Sequence, residues 1–403
     1  AFQIFKGDVS EDNQKISNVE WGSIIHNPTD FLRQLKADLT LSSKFAKANS
    51  LQEVLDVMKD WSTSDDDSIA FARFVCSYLY PNADANPEPF IPSGGDVVHI
   101  PINEAGYYLI VDTTDFSNGD SYHACNSFLL KVTKAPYDLP ITPKAEKPSV
   151  KKEVFDNQDS TNKAGFSSSA DHAINEPFQF KLTATLPASN DNDRAYDYYD
   201  KYTVTFHDTL SAGITFDRWD TVVINNGGSD ITIPTEKYTR DVSGQNLTLS
   251  IENVKTCVED SRFNLNNGAT ITVTYTAHLN DNAAVNTTNG DTKNTNKVYL
   301  TYSNNPRINT SVGRTPESEV YVFTYQLNNT KYKNSVADGH ELKDAGFRLY
   351  SDIACNEEQE IKLKQNEDGT YSRDFSTEGK GVEMKSADDG TFNVKGLDAG
   401  TYY

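Results

Sequence analysis

The sequence is short of the residues through which most enzymes and membrane proteins announce themselves. Its 403 residues include only 2 Met, 3 Trp and 4 Cys. The cysteines, Cys76, Cys125, Cys257 and Cys355, form no CxxC pair, and no Cys/His cluster has zinc-site spacing. The 7 His are scattered without HExxH, and GxSxG, a Walker loop and a strand-borne GxGxxG are all missing. No enzyme activity, cofactor or metal is therefore expected. No apolar run approaches the roughly 18 residues of a membrane span, so no membrane insertion is expected. Positive charge is scarce too. Lys and Arg number 37 against 58 Asp and Glu, a net charge of −21, with no basic run. Nucleic acid and anionic lipid are poor partners for such a surface. The chain opens directly on AFQIFKGD, with no signal-peptide pattern, and reads as a fragment or a mature form, so its export history is not visible.

What is abundant is aromatic: 21 Tyr and 20 Phe, enough for several small cores. At about 100–200 residues per domain the length suggests two to four domains. Residues 1–140 mix strand and helix. Ser50 and Glu53 form a capping box ahead of a helix with Leu51, Val54, Leu55 and Met58 on one face. A second helix follows Asp65–Asp67, and DVVHIPI, AGYYLIVDTT and NSFLLKV read as strands. Cys76 and Cys125 are candidates for a disulfide within this region. Residues 141–149 belong to a connector that, counted from 135 to 150, holds four of the 15 prolines, and it should be stiff and extended.

From residue 150 to 312 the period becomes two. Phe178, Phe180 and Leu182 alternate, as do Ile271, Val273 and Tyr275, and Asn226-Gly227 and Asn267-Gly268 mark turns. The pattern predicts a β-sandwich. A third β-rich region, 313–403, contains EVYVFTYQL, AGFRLY and GTFNVKGLDAGTYY. The fold class expected is mainly β, in tandem sandwich domains, the third of them incomplete.

Alternation also says which polar residues point inward. Lys152 lies in phase with Val150 and Val154. Asp208 continues Tyr202, Val204 and Phe206, and Asn296 leads Val298 and Leu300. One reading is a buried salt bridge with an asparagine partner, or residues at strand ends facing solvent. The other is chemistry. Burial makes a lysine amine neutral and nucleophilic and a carboxyl protonated, and the amine then attacks the Asn side-chain carbonyl with loss of ammonia.

These residues and several motifs resemble the shaft subunits of sortase-assembled pili on Gram-positive bacteria. AFQIFKGD with NVEWGS, AGYYLIVDT, PYDLPITPKAEKPSVKK, FHDTLSAGITF, NTNKVYLTYSNNP, TPESEVYVFTYQL, AGFRLY and GLDAGTYY occur in the family's order along the whole chain. The resemblance implies tandem immunoglobulin-like domains, the second like the collagen-adhesin A type and the third like the B type. It implies a Lys152–Asn296 isopeptide bond with Asp208 as the acid that promotes it. Lys144, in ITPK, matches the lysine that a sortase joins to the next subunit. Lys331, in phase with Phe323, Tyr325 and Leu327, matches a third-domain bond lysine. The family's acid for that bond, its Asn and its LPxTG signal all follow the point, Tyr403, where this sequence stops. The implied partners are neighbouring pilins, a pilus-specific sortase, tip and base pilins, and host glycans or matrix proteins. The implied location is an extracellular, cell-wall-anchored pilus. Two other functions compete with this one: a tip or wall-anchored adhesin built from the same domains, and a glycosidase with paired carboxylates. Two acidic stretches, 64–68 and 190–197, offer oxygen ligands without the EF-hand register and are read as solvated loops.

Overall fold

The computed structural model describes residues 1–9, 16–62, 65–79, 102, 104–111, 127–132, 147–157, 164–189, 194–286, 293–306, 309–337, 339–376 and 380–403. The first region is a four-stranded sheet with helices packed on it. Strands β1 (Phe2–Val9) and β2 (Ile16–Trp21) precede helices α1 (Pro28–Ala37), α2 (Ser42–Phe45), α3 (Leu51–Met58) and α4 (Asp66–Leu79), and β3 (Gly106–Val111) and β4 (Ser127–Val132) follow, in the order β2-β1-β3-β4. Helix α3 carries the expected capping box, and Val54 and Met58 are its buried residues. Sequence reading missed α1. Its signal was present: the Asn27 side chain accepts from the Asp30 N–H, Pro28 sits in the first turn, and Phe31, Leu32 and Leu35 face the core. The expected strand DVVHIPI lies outside the described residues, apart from Ile102. No helix among the described residues is long and apolar enough to cross a membrane.

The second region is a sandwich of two sheets. In chain order its strands are β5 (Ser149–Asp156), β6 (Gly165–Ser167), β7 (Ser169–Asp171), β8 (Pro177–Leu186), β9 (Val204–Leu210), β10 (Ile214–Asn225), β11 (Ile231–Thr232), β12 (Tyr238–Ser243), β13 (Asn246–Ile251), β14 (Ala269–Leu279), β15 (Asn294–Ser303), β16 (Val312–Arg314) and β17 (Ser318–Phe323). One sheet runs β11-β10-β14-β8-β5-β6, and the other β12-β13-β9-β15-β17-β7 with β16 on β15. The alternation holds. Phe180, Leu182, Val204, Ile271, Val273, Tyr275, Val298 and Leu300 have no exposed surface. Strict alternation is what a two-sided sheet needs when one face is buried.

The boundary expected between 312 and 313 is corrected by this topology. Strand β17 belongs to the sandwich, where it pairs antiparallel with β15 and parallel with β7. The run EVYVFTYQL is divided at the buried Thr324, and its second half, β18 (Tyr325–Leu327), joins the third region. There β18 is followed by β19 (Gly346–Phe347), β20 (Leu349–Tyr350), β21 (Glu360–Ile361), β22 (Leu363–Gln365), β23 (Tyr371–Arg373), β24 (Met384–Lys385) and β25 (Val394–Leu397). The sheet order is β18-β25-β23-β22, with two short pairs, β19-β24 and β20-β21. Its core is thin: Leu349, Leu363, Tyr371, Met384, Val394 and Leu397.

Candidate functional site

Lys152 stands at the middle of β5, where it pairs with Leu182 of β8, and Tyr275 pairs with Phe180 on the other side of β8. Both side chains point from one sheet into the sandwich. From the opposite sheet come Asp208 of β9 and Asn296 of β15. Asp208 pairs with Val298, so Asn296 is its diagonal neighbour on the same face. Lys152 and Asp208 are each 2% exposed, and Asn296 and Tyr275 have no exposed surface. Four polar side chains thus meet inside an apolar core.

The contacts are specific. The Lys152 ammonium is hydrogen-bonded to the Asp208 carboxylate. Lys152 Nζ also lies 3.1 Å from the Tyr275 hydroxyl. Tyr275 donates to Asp208 Oδ1 at 3.2 Å and accepts from Asn296 Nδ2 at 2.6 Å. Asn296 Oδ1 is buried and has no hydrogen-bond partner among the described residues. Rings wall the amine in, with the Phe180 and Tyr275 centroids 5.0 and 5.2 Å from Nζ. The Lys152 backbone N–H donates to Ser318 Oγ at 2.9 Å, so β17 helps to seal the site.

The electrostatics follow from dehydration. Burial lowers the Lys152 ammonium to about 8, against the opposing pull of Asp208. Burial raises the Asp208 carboxyl above its ordinary value, against the opposing pull of Lys152. Both shifts lower the cost of moving the proton from nitrogen to oxygen, the transfer that turns the ion pair into a neutral amine beside a carboxylic acid. Burial also pushes the Tyr275 phenol up, so its hydroxyl keeps its proton.

The structure therefore brings Lys152, Asp208 and Asn296 together and adds Tyr275. Sequence reading had placed Tyr275 on the apolar face but assigned it no role. The available signal was chemical, since a buried tyrosine hydroxyl needs a hydrogen-bond partner.

The other sequence candidates fare differently. Lys331 is exposed and outside any strand, because β18 ends at Leu327 and the phase counted from Phe323 does not reach it. It has no ion pair among the described residues, and its backbone bonds are to Gly390 and Leu342. Lys144 and Cys125 lie outside the described residues. Cys76 is buried on α4, Cys257 is buried in the sandwich, and Cys355 is exposed. In the acidic stretches, Asp66 pairs with Arg194, Asp67 with Lys44, and Asp197 with Arg194.

No protein-family model and no curated protein matches the chain. Solved structures do resemble it. The 35 kDa C-terminal fragment of the major pilin of Streptococcus agalactiae is 19% identical over 63% of this chain and 80% of that one, with a TM-score of 0.44. The full-length major pilin SpaD of Corynebacterium diphtheriae is 20% identical over 74% of this chain and 66% of that one, with a TM-score of 0.43. The full-length major pilin RrgB of Streptococcus pneumoniae is 13% identical over 69% of this chain and 70% of that one, also with a TM-score of 0.43.

Proposed function

We propose that this chain is a shaft subunit of a covalently polymerised, sortase-assembled pilus on a Gram-positive cell, and that its second sandwich is locked by a Lys152–Asn296 isopeptide bond. The observation that carries this reading is the buried Lys152–Asp208–Tyr275–Asn296 cluster. An unlinked cluster of this kind is an expensive way to hold a core together, and a reaction that consumes the charges explains its presence.

The step balances without a cofactor. A proton passes from Lys152 to Asp208. The neutral amine attacks Asn296 Cγ, forming the Nζ–Cγ bond, and the Cγ–Nδ2 bond breaks. Nζ gives its surplus proton to Asp208 as the amide forms, while the departing nitrogen takes up the proton that Asp208 first received and leaves as ammonia. Tyr275 touches both Asp208 and Asn296 Nδ2, so its hydroxyl can pass the Asp208 proton to the leaving nitrogen and take another in return. Holding amine and amide together supplies the effective concentration that a bimolecular aminolysis lacks.

The bond suits a load-bearing role. It would join β5 in one sheet to β15 in the other, so tension passes through a covalent link and bypasses the hydrogen-bonded ladder. It also closes a loop of roughly 140 residues, which a chain-entropy argument values at about 5 kcal/mol. Lys144, in its proline-flanked connector, is proposed as the acceptor for the C-terminal threonine of the neighbouring subunit. The partners proposed are therefore other pilins, tip and base pilins among them, and a pilus-specific sortase. The place is the cell surface.

Intact mass is the primary test. The purified chain should weigh one ammonia less than its sequence, and a mass equal to the sequence mass defeats the bond. For assembly, Lys144→Ala in the full-length protein with its sortase should abolish the high-mass ladder and spare the internal bond. An unchanged ladder in both Lys144→Ala and Lys147→Ala would favour an adhesin over a shaft subunit.

A further inference from the structure

A second polar cluster, unrelated to the isopeptide chemistry, sits where the second and third regions meet. The segment GLDAG docks there. Ile174 donates its N–H to the Gly396 carbonyl at 2.9 Å, and Asp398 follows at 2% exposure. Facing Asp398 are His172, 1% exposed, and the half-buried Glu176, four residues on. Ligand atoms of His172, Glu176 and Asp398 all lie within 4.8 Å of one another, and His172 Nδ1 is 4.0 Å from Glu176 Oε1. The Asn157 amide donates to Asp398 Oδ2 at 2.7 Å and to Glu176 Oε1 at 3.3 Å, bridging the two carboxylates.

The imidazole is the informative member. Its Nε2 lies 2.7 Å from the Phe155 carbonyl oxygen, which can only accept, so Nε2 carries the proton. Its ring is stacked on Phe178, with centroids 4.2 Å apart and planes 2° from parallel. Nδ1 is therefore fixed in direction, buried, without a hydrogen-bond partner among the described residues, and turned toward the two carboxylates. A backbone carbonyl on one ring nitrogen and an open lone pair on the other is the usual arrangement of a metal-binding histidine.

We propose that His172 Nδ1, Glu176 and Asp398 bind a divalent transition-metal ion of the zinc class, clamping the third region to the second sandwich. One nitrogen with two carboxylate oxygens suits zinc better than calcium, which prefers oxygen alone. Bonds of about 2.0–2.2 Å place ligands on one ion roughly 3–4 Å apart, so the side chains need to draw in by about an ångström. Water completes the shell through the open side at Glu176. Two ligands come from the sandwich and one from the third region, so occupancy would stiffen the joint between them. No sequence spacing reveals the site, because Asp398 reaches it only through the docking of its segment.

The test uses the whole chain, stripped with a chelator and titrated with zinc chloride by calorimetry, with native mass spectrometry for stoichiometry. One zinc per chain and a raised Tm are expected, with weaker binding of calcium. His172→Phe keeps the stack on Phe178, and Asp398→Asn keeps an acceptor for the Ala399 N–H. Each should weaken zinc binding roughly tenfold or more, whereas Asp66→Asn, in a surface ion pair, should not. If His172→Phe fails to fold by circular dichroism, Asp398→Asn decides. No zinc uptake by the stripped parent at micromolar concentration, or parental affinity in Asp398→Asn, overturns the proposal.

Discussion

Lys152 and Lys331 were matched to the same kind of role, and the structure treats them in opposite ways. Lys152 lies inside an eight-residue strand whose register is fixed within its sheet, by β8 along Ser149–Val154 and by β6 beyond. That register takes its amine out of water and points it at an acid. Lys331 lies beyond a three-residue strand, in an exposed stretch paired through isolated bridges, Thr330 to Thr391 and Tyr332 to Glu341, on either side of it. The difference lies in what surrounds the lysine. A nucleophilic amine requires desolvation, and desolvation requires a strand long enough to keep its phase within a thick core. Among the described residues the third region buries six apolar side chains in its core, whereas the second has a larger, aromatic-rich interior that encloses the Lys152 cluster. A periodic count from sequence is therefore reliable only as far as the strand beneath it persists.

The comparison can be broken most sharply at its centre. Lys152→Ala and Asp208→Ala should both retain the ammonia in the intact mass. Lys152→Ala should lose roughly 5 kcal/mol of stability with the cross-link and become trypsin-sensitive between 150 and 323. Parental resistance to trypsin would show that no bond contributes there.

Tyr275→Phe keeps the ring and removes the hydroxyl that bridges Asp208 and Asn296. Bond formation should slow on the order of 100-fold, the usual weight of a positioned proton-transfer group. A time course of intact mass after rapid purification reads it, and a fully linked first time point would reduce Tyr275 to packing. Gly396→Ala probes the joint instead. Gly396 has φ of +71°, and an added Cβ would stand 2.4 Å from Ile174 Cδ1. A cost of about 1–3 kcal/mol is expected. Hydrogen exchange should rise around 394–399 and stay unchanged in β8 and β14.

A pH series separates the linked from the unlinked state. Asn296→Ala cannot form the bond and leaves Lys152 and Asp208 as a buried pair. The folded value for Lys152, about 8, lies below its ordinary 10.5. Between those values the unfolded chain binds more protons, so stability should rise as pH rises, by at most about 1.4 kcal/mol per pH unit. In the linked parent the amide does not titrate, and this slope should be missing. A slope of equal size in both proteins would mean that Lys152 remains a free amine. The smallest effect is expected from Lys331→Ala, within about 0.5 kcal/mol of the parent. A large loss in thermal unfolding would give Lys331 a structural part that its exposure does not suggest.

The sequence by itself determined the β class, the capping box of α3 and the inward phase of Lys152, Asp208 and Asn296. Each of these is a local property, since the pleat has a period of two and a cap is read within four residues. Strand pairing was not local, and it decided the rest. The register of β5 on β8 and of β9 on β15 made three inward residues a single cluster, and the register of β14 on β8 added Tyr275. Strand β17 went to the second sandwich because its edge found β15 and β7, which no composition break near residue 312 encodes. The meeting of His172 and Glu176 with Asp398 depends on how two regions dock. Such contacts join residues far apart in the chain, and their identity is fixed by the packing of whole sheets, whereas sequence periodicity reports only the face on which a residue lies.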